Sequence, residues 1–280
     1  MGSPLIAMRP KWKRLFHVVL RTTVIGYLFA LGVLMFFERS MIYPIPDRKL
    51  GDWNPPGLVY EDVWLEAKDG TKLHAWYLPH DHARATVLYF HGNGEHIPWC
   101  GPLMSQCRDD LAINVLVVDY RGYGKSEGKP SERLLIEDGI LAAHWLAERE
   151  SIPVEQLVLW GRSIGGGVAA GVAESVHPRA MIMECTFDSL VDVAATHVPW
   201  VPVRWLMSNK YPSAQRLKDY QGEFLQWHGD RDSLVPLASA KRLFAAVPSA
   251  KKTFTLAVGS EHNDEAPQQF KNHLRKLLGN

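Results

Sequence analysis

The segment QLVLWGRSIGGGVAAGVA, residues 156–173, decides the reading of this chain. Residues 156–160 form an apolar run of the kind carried by a strand buried on both faces. After it comes Gly161-Arg162-Ser163-Ile164-Gly165, the pattern G-x-S-x-G, at the mouth of a helix. A serine held on a sharp strand-to-helix turn occupies strained backbone. Gly161 and Gly165 remove side chains that would collide there. The helix N-terminus turns its free N–H groups and positive end toward the serine, which favours a developing oxyanion. A glycine-rich turn with an incidental serine carries the same five residues. The strand before and the helix after it argue for a nucleophile.

Working outward, short apolar runs recur at residues 85–90 (ATVLYF), 114–118 (NVLVV), 180–183 and 224–227, with an alternating strand at 253–258. Helical stretches lie between them. One, 131–148, opens with Ser131 and carries Leu134, Leu135, Ala142, Trp145 and Leu146 at helical spacing. Two earlier strands, 59–65 and 72–78, flank Lys68-Asp69-Gly70-Thr71, a hairpin signal. Buried runs alternating with helices predict the α/β class, a mostly parallel central sheet with helices on both faces.

Before this domain, residues 1–14 carry Arg9, Lys11, Lys13 and Arg14 and no acidic residue. Residues 15–37 (LFHVVLRTTVIGYLFALGVLMFF) follow, with Arg21 as the one full charge. The twenty residues from 18 to 37 match the thickness of a hydrocarbon core, and Arg21 in the first turn reaches back to the headgroups. This predicts a single-pass transmembrane anchor. A cleaved signal peptide competes through Ala30-Leu31-Gly32, but five more apolar residues follow that site. A buried or amphipathic helix is the third reading. The basic flank predicts a cytoplasmic N-terminus, with the folded domain on the opposite side. Residues 38–57, with Pro44, Pro46, Pro55 and Pro56, read as a linker, and 58–280 as the domain.

Composition narrows the function. The chain is 46% hydrophobic and 22% charged with a net charge of +1, which excludes a disordered chain. No dense basic stripe lies outside the N-terminus, so no nucleic-acid partner is expected. Cys100, Cys107 and Cys185 are three cysteines, too few for a disulfide framework. Two helical turns would hold Cys100 and Cys107 about 10 Å apart, beyond a bridge. No CxxC or zinc-type spacing is present, so no metal or cofactor is expected.

A serine hydroxyl needs a base, and the base an orienting acid. After Ser163 the acids stand in WHGDRDSLVP (227–236), where Asp230 and Asp232 both follow a strand and spacing does not separate them. His262, in GSEHND (259–264), sits at the C-terminal end of a strand, where open α/β sheets place catalytic groups. His228 comes too early to be the base, and His273 falls inside the final helix. The order Ser, acid, His is that of one known chain arrangement. The segment YFHGNG (89–94) follows a buried strand, and its glycines let backbone approach a substrate. There Asn93 is the candidate for one oxyanion N–H, with Ile164 for the other, while His91 orients the loop.

These motifs, with DYRGYGKSEGKPSE (119–132) and GRSIGGGVA (161–169), run in order through most of the chain from about residue 58. Together they resemble the membrane-anchored branch of the α/β-hydrolase superfamily, the α/β-hydrolase domain-containing proteins with esterase and serine aminopeptidase relatives. The family pattern G-x-x-D-x-x-V-P falls on Gly229, Asp232, Val235 and Pro236, so the resemblance selects Asp232 as the acid. Asp119 belongs to a structural signature. Residues 196–212 form a short aromatic and proline-rich cap insert where relatives often carry a larger lid. The resemblance implies a serine hydrolase that cleaves a carboxylic ester or thioester through an acyl-enzyme. Trp200, Trp205, Leu206 and Met207 point to a small-molecule or lipid-like acyl substrate, or to a cap packing on its own core. Two alternatives remain: an aminopeptidase or amidase on the same triad, and a non-catalytic interaction module that keeps the fold.

Overall fold

The run of residues buried on both faces dictates where the sheet lies. In the computed structural model, which describes residues 11–279, eight strands form one sheet in the order β1-β2-β4-β3-β5-β6-β7-β8. The first two, β1 (Glu61–Glu66) and β2 (Lys72–Leu78), make the expected hairpin, and β2 pairs antiparallel with β4 (Ile113–Val118). From there the sheet is parallel through β3 (Ala85–Phe90), β5 (Val158–Arg162), β6 (Ala180–Glu184), β7 (Glu223–Gly229) and β8 (Lys252–Ala257). Every residue of β3, β4 and β6 is buried, whereas β1 at the edge alternates, burying Val63 and Leu65. β5 begins two residues later than its apolar run, because a short 3-10 turn over Val154–Gln156 takes up the start.

Helices cover both faces, as the alternation predicts. They are α2 (Ile97–Leu111), α3 (Glu132–Arg149), α4 (Ile164–Val176), α5 (Leu190–His197), α6 (Val203–Leu206), α7 (Ser213–Arg216), α8 (Leu237–Ala246) and α9 (Gln268–Leu278). Successive strand residues point to opposite faces. Leu88, Phe90, Leu116, Leu159 and Met181 accordingly pack on one side with Leu135 and Leu146 of α3 and Val168 and Val172 of α4. Val87, Tyr89, Val115, Val158 and Ile182 pack on the other with Ile97 and Met104 of α2 and Phe270 and Leu274 of α9. Ser131 caps α3, accepting a hydrogen bond from the Leu134 N–H. Cys100 and Cys107 both lie in α2, and neither is bridged.

The N-terminal helix α1 (Lys11–Ile42) is a separate unit through Met41. Its stretch Trp12–Ile42 is long and apolar enough to cross a membrane, with a mean hydropathy of 1.9 in its most apolar window. Leu15, Phe16, Ile25, Phe29 and Phe36 are exposed. The helix continues beyond the expected span of 15–37. Residues 1–10 of the basic flank, Arg9 among them, lie outside the described residues.

The expected linker 38–57 needs correction. Tyr43 is 2% exposed and part of the core. Its hydroxyl donates to Asn209 Oδ1 at 2.9 Å and pairs with the Tyr211 hydroxyl at 2.8 Å. Trp53 stacks on His96 with ring centroids 5.4 Å apart and meets Trp76 edge-on at 6.3 Å. Proline sets an irregular backbone here, and the aromatic side chains anchor that backbone to the domain. A chain starting at Ile42 is therefore expected to fold, and one starting at Leu58 to melt at a distinctly lower temperature. Tyr43→Ala in the longer chain should cost about 3 kcal/mol, as buried aromatic truncations do, measured by denaturant titration.

Candidate active site

At the end of β5 the chain turns sharply into α4, and Ser163 is the N-cap residue with φ 53° and ψ −120°. This is left-handed backbone for a residue with a Cβ, and such strain costs about 1–3 kcal/mol. The surroundings hold it. The Ser163 N–H donates to the Glu184 carbonyl at 2.8 Å, and the Thr186 hydroxyl donates to the Ser163 carbonyl at 2.8 Å. The two flanking glycines are needed for close approach. A Cβ at Gly165 would run into the carbonyls of Phe90 and His91 on the loop after β3, and one at Gly161 would lie 2.5 Å from the Gly165 carbonyl. The register Phe90↔Gly161 explains this, because it sets the end of β3 directly beside the turn.

From this turn runs a hydrogen-bonded line. Ser163 Oγ is 3.0 Å from His262 Nε2, and His262 Nδ1 is 2.7 Å from Asp232 Oδ2. The imidazole Nδ1–H donates to the carboxylate, which leaves Nε2 to accept from the serine hydroxyl. The three residues come from the ends of β5, β7 and β8, so the parallel sheet brings together positions far apart in the chain. Asp232 is buried, and Oδ1 accepts the N–H groups of Leu234 at 2.9 Å and Val235 at 2.8 Å. Burial pushes its pKa up, but the hydrogen bonds from His262 and Val235 and the nearby imidazoles outweigh that and hold it below the ordinary carboxylate value. Asp230 takes a different position. It is exposed, and its carboxylate accepts the Gly259 N–H at 2.6 Å, fastening the loop that carries His262.

Asn93 and Ile164 lie on the two sides of this turn. Ile164 is the first residue of α4, so its N–H has no acceptor within the helix. The Asn93 side chain is fixed at both ends, with Oδ1 accepting from the Tyr123 hydroxyl at 2.9 Å and Nδ2 donating to the Ile42 carbonyl. Its loop is shaped by Glu95, whose Oε2 accepts the Gly92 N–H at 2.8 Å. His91 donates from Nδ1 to the Gly92 carbonyl at 2.8 Å, the loop-orienting position expected of it. Asp119 is buried and receives the Ile97 N–H at 2.9 Å, closing the start of α2. His273 lies in α9, near Thr255.

Four side chains had no distinguishing signal in the sequence. His228 is buried with Nε2 donating to the Val235 carbonyl at 2.8 Å, and it stands 3.3 Å from Asp232 Oδ2, braced against the acid from behind. Burial lowers its imidazole's pKa, against the opposing pull of the Val235 carbonyl and Asp232. Arg162 pairs with Glu95 and reaches Asn263 Oδ1 at 2.8 Å. Glu184 takes the Trp160 indole N–H, and burial raises its pKa despite that bond and the nearby Arg162. Cys185, His228 and Asp232 hold ligand-type atoms within 4.8 Å of one another, the one such grouping among the described residues. Asp232 is already engaged by His262 and two backbone N–H groups, and His228 Nε2 by the Val235 carbonyl. Burial also pushes the Cys185 thiol's pKa up, away from the thiolate a metal needs.

The insert 196–212 lies close to the acid's loop, since His197 Nε2 is 2.9 Å from the Leu234 carbonyl. Val201, Val203 and Tyr211 are buried in it, while Trp200 is 58% and Trp205 87% exposed. The insert thus packs through its aliphatic residues and Tyr211, and turns two indoles outward.

Comparison with known proteins places the chain in a family. A family model described as serine aminopeptidase, S33, matches residues 81–216, a segment that holds Asn93, Ser163 and Ile164 and stops before Asp232 and His262. An uncharacterised protein of Mycobacterium tuberculosis is 34% identical over 247 residues, covering 85% of each chain. The α/β-hydrolase domain-containing protein WAV2 of Arabidopsis thaliana is 29% identical over 244 residues, 80% of this chain and 77% of that one. Among solved structures, the Pyrococcus furiosus esterase Pf2001 superposes with a TM-score of 0.66 at 20% identity, over 83% of this chain and 95% of the other, a likeness of fold. The chain belongs to the α/β-hydrolase superfamily.

The strain at Ser163 has a measurable consequence. Glycine adopts φ 53° at no steric cost, whereas alanine keeps the Cβ. Ser163→Gly should therefore be more stable than Ser163→Ala by about 1 kcal/mol, after the extra backbone entropy of glycine is subtracted. Paired thermal melts check this, and equal melting temperatures would mean that the turn carries no strain.

Proposed function

We propose that this chain is a membrane-anchored serine hydrolase that cleaves a carboxylic ester or thioester through an acyl-enzyme intermediate, without a cofactor. The observation that carries the proposal is the line from Ser163 Oγ through His262 to Asp232, at 3.0 and 2.7 Å, starting on a strained turn at a helix N-terminus. Ser163 attacks the acyl carbon as His262 Nε2 takes its proton. The tetrahedral oxyanion is received by the N–H groups of Ile164 and Asn93, each worth about 3 kcal/mol of barrier when well placed. His262 then returns the proton to the leaving oxygen or sulfur. Water enters, gives a proton to the same nitrogen as it attacks the acyl carbon, and the acid leaves as the acyl–Oγ bond breaks and His262 returns that proton to Ser163. Asp232, ionised because its pKa is held low, fixes the imidazole tautomer and stabilises the imidazolium throughout.

A second reading is amide or peptide cleavage on the same residues, favoured by the serine aminopeptidase description of the matching family model. The likeness of fold to the Pyrococcus furiosus esterase and the outward Trp200 and Trp205 support esters of apolar acids instead. A non-catalytic module would not need the hydrogen-bonded line, which counts against that alternative. Helix α1 serves as the anchor, with the N-terminus cytoplasmic and the hydrolase domain on the other side, because Lys11, Lys13 and Arg14 precede the apolar span.

Three substitutions test the chemistry. Ser163→Ala should abolish fluorophosphonate labelling and lower turnover by about 10⁴-fold or more. Asp232→Asn should cost about 10⁴-fold by favouring the wrong tautomer, whereas Asp230→Asn, which only loosens the loop at Gly259, should cost less than about tenfold. The reverse ranking of the aspartates would reject the assigned acid. An acyl panel of esters, thioesters and aminoacyl amides separates the two substrate readings.

The anchor is tested separately. The full chain should stay with membranes through alkaline carbonate, since a buried span is held by apolar burial and not by surface charge. Protease added on the cytoplasmic side should leave the domain intact. Digestion from that side would reverse the topology.

A further inference from the structure

We propose that Arg162 is a positioning residue that ties the loop bearing His262 to the loop bearing Asn93, across the turn that carries Ser163. The inference rests on the roles proposed above for those three residues. Arg162 is the last residue of β5 and immediately precedes the serine. Its side chain is largely buried, with 19% of its surface exposed. One terminal nitrogen, Nη1, pairs with Glu95, whose other oxygen accepts the Gly92 N–H. The second, Nη2, donates to Asn263 Oδ1 at 2.8 Å and stands 3.5 Å from the His262 carbonyl. The two ends of one planar guanidinium therefore hold two different loops.

The geometry explains why a fork is needed. Both loops leave strand ends and contain glycines at positive φ, Gly94 in one and Gly259 in the other, so their backbones are easily rotated. Guanidinium is rigid and presents its donors in fixed directions, so it transmits the position of one loop to the other. A lysine offers a single charged centre and cannot span both. Burial alone would disfavour the charge on Arg162, but Glu95 outweighs that and keeps its pKa raised. A role in attracting an anionic substrate predicts a different kinetic signature, and the test below separates the two.

The experiment uses the full-length enzyme and a water-soluble chromogenic ester, with melting temperature recorded for each variant. Arg162→Gln should lower kcat about 100-fold with KM changed less than about threefold, because misplacing a catalytic group by about 1 Å costs that much in rate. The rate of fluorophosphonate labelling should fall by a similar factor. Arg162→Lys should stay at least about tenfold below wild type. Asn263→Ala removes one exposed partner and should cost about tenfold in kcat without lowering the melting temperature. Added to Arg162→Gln, it should cost nothing further, since both changes cut one connection. Should Arg162→Gln fail to fold, Asn263→Ala carries the test alone. Full recovery by lysine, a loss seen mainly in KM, independent multiplying losses in the double variant, or wild-type kcat in Asn263→Ala would each overturn the proposal. Ser163→Ala separates the levels. If it keeps turnover, the proposed chemistry fails; if it is inactive while Arg162→Gln is unimpaired, only the positioning role fails.

Discussion

At Ser163 the backbone is bent into a conformation that a residue with a side chain avoids, and most of what surrounds the site keeps it bent. The loop after β3 passes so close to the first turn of α4 that only glycine fits at position 165. That approach is possible because β3 and β5 are neighbours, although β4 separates them in the chain. The Glu184 carbonyl on β6 then takes the serine N–H. A turn that would relax in isolation is thus fixed by the strands on both sides. The hydroxyl points where β7 and β8 end, and there the acid and the imidazole arrive.

Several buried charges at the ends of the strands meet a partner. Arg162 meets Glu95, Asp232 meets His262 and two backbone N–H groups, and Arg121 meets Asp138 through two nitrogens at 2.6 and 2.8 Å. Unpaired, any of these would carry the full penalty of a buried charge. Paired, they add directional contacts to loops that also bury Tyr120, Tyr123 and Val235. The loop ends of the sheet are held by directional polar contacts, and its centre by burial.

The parallel sheet was legible because β3, β4 and β6 are short, mainly apolar runs buried along their whole length, as strands covered on both faces are. The serine's turn was legible because two close approaches leave glycine as the residue that fits. The edge β1 was placed less well, by two residues at its start, since alternation allows its boundary to slide. Asp230 and Asp232 share a loop and a residue type, so spacing does not separate them; the family resemblance pointed to Asp232, and the structure aims it at His262 while Asp230 holds Gly259. Tyr43 was misread because prolines mark irregular backbone without saying whether it is buried. The Arg162–Glu95 and Arg162–Asn263 contacts left no trace in spacing or periodicity, for the partners are distant in sequence and the pairing exists only once the strands are ordered.

That dependence on distant partners fixes an order in time. Ser163 and His262 are 99 positions apart, and Asp232 stands 30 before His262. During synthesis the strands that shape the serine's turn leave the ribosome before β7 and β8. The imidazole emerges 99 residues after the serine, on the connection from β8 to α9, and β8 takes its place by pairing with β7. Until then the nascent chain carries a bent turn whose hydroxyl has no base. An unfinished chain that has not yet reached residue 262 lacks the imidazole of the Ser163–His262–Asp232 line.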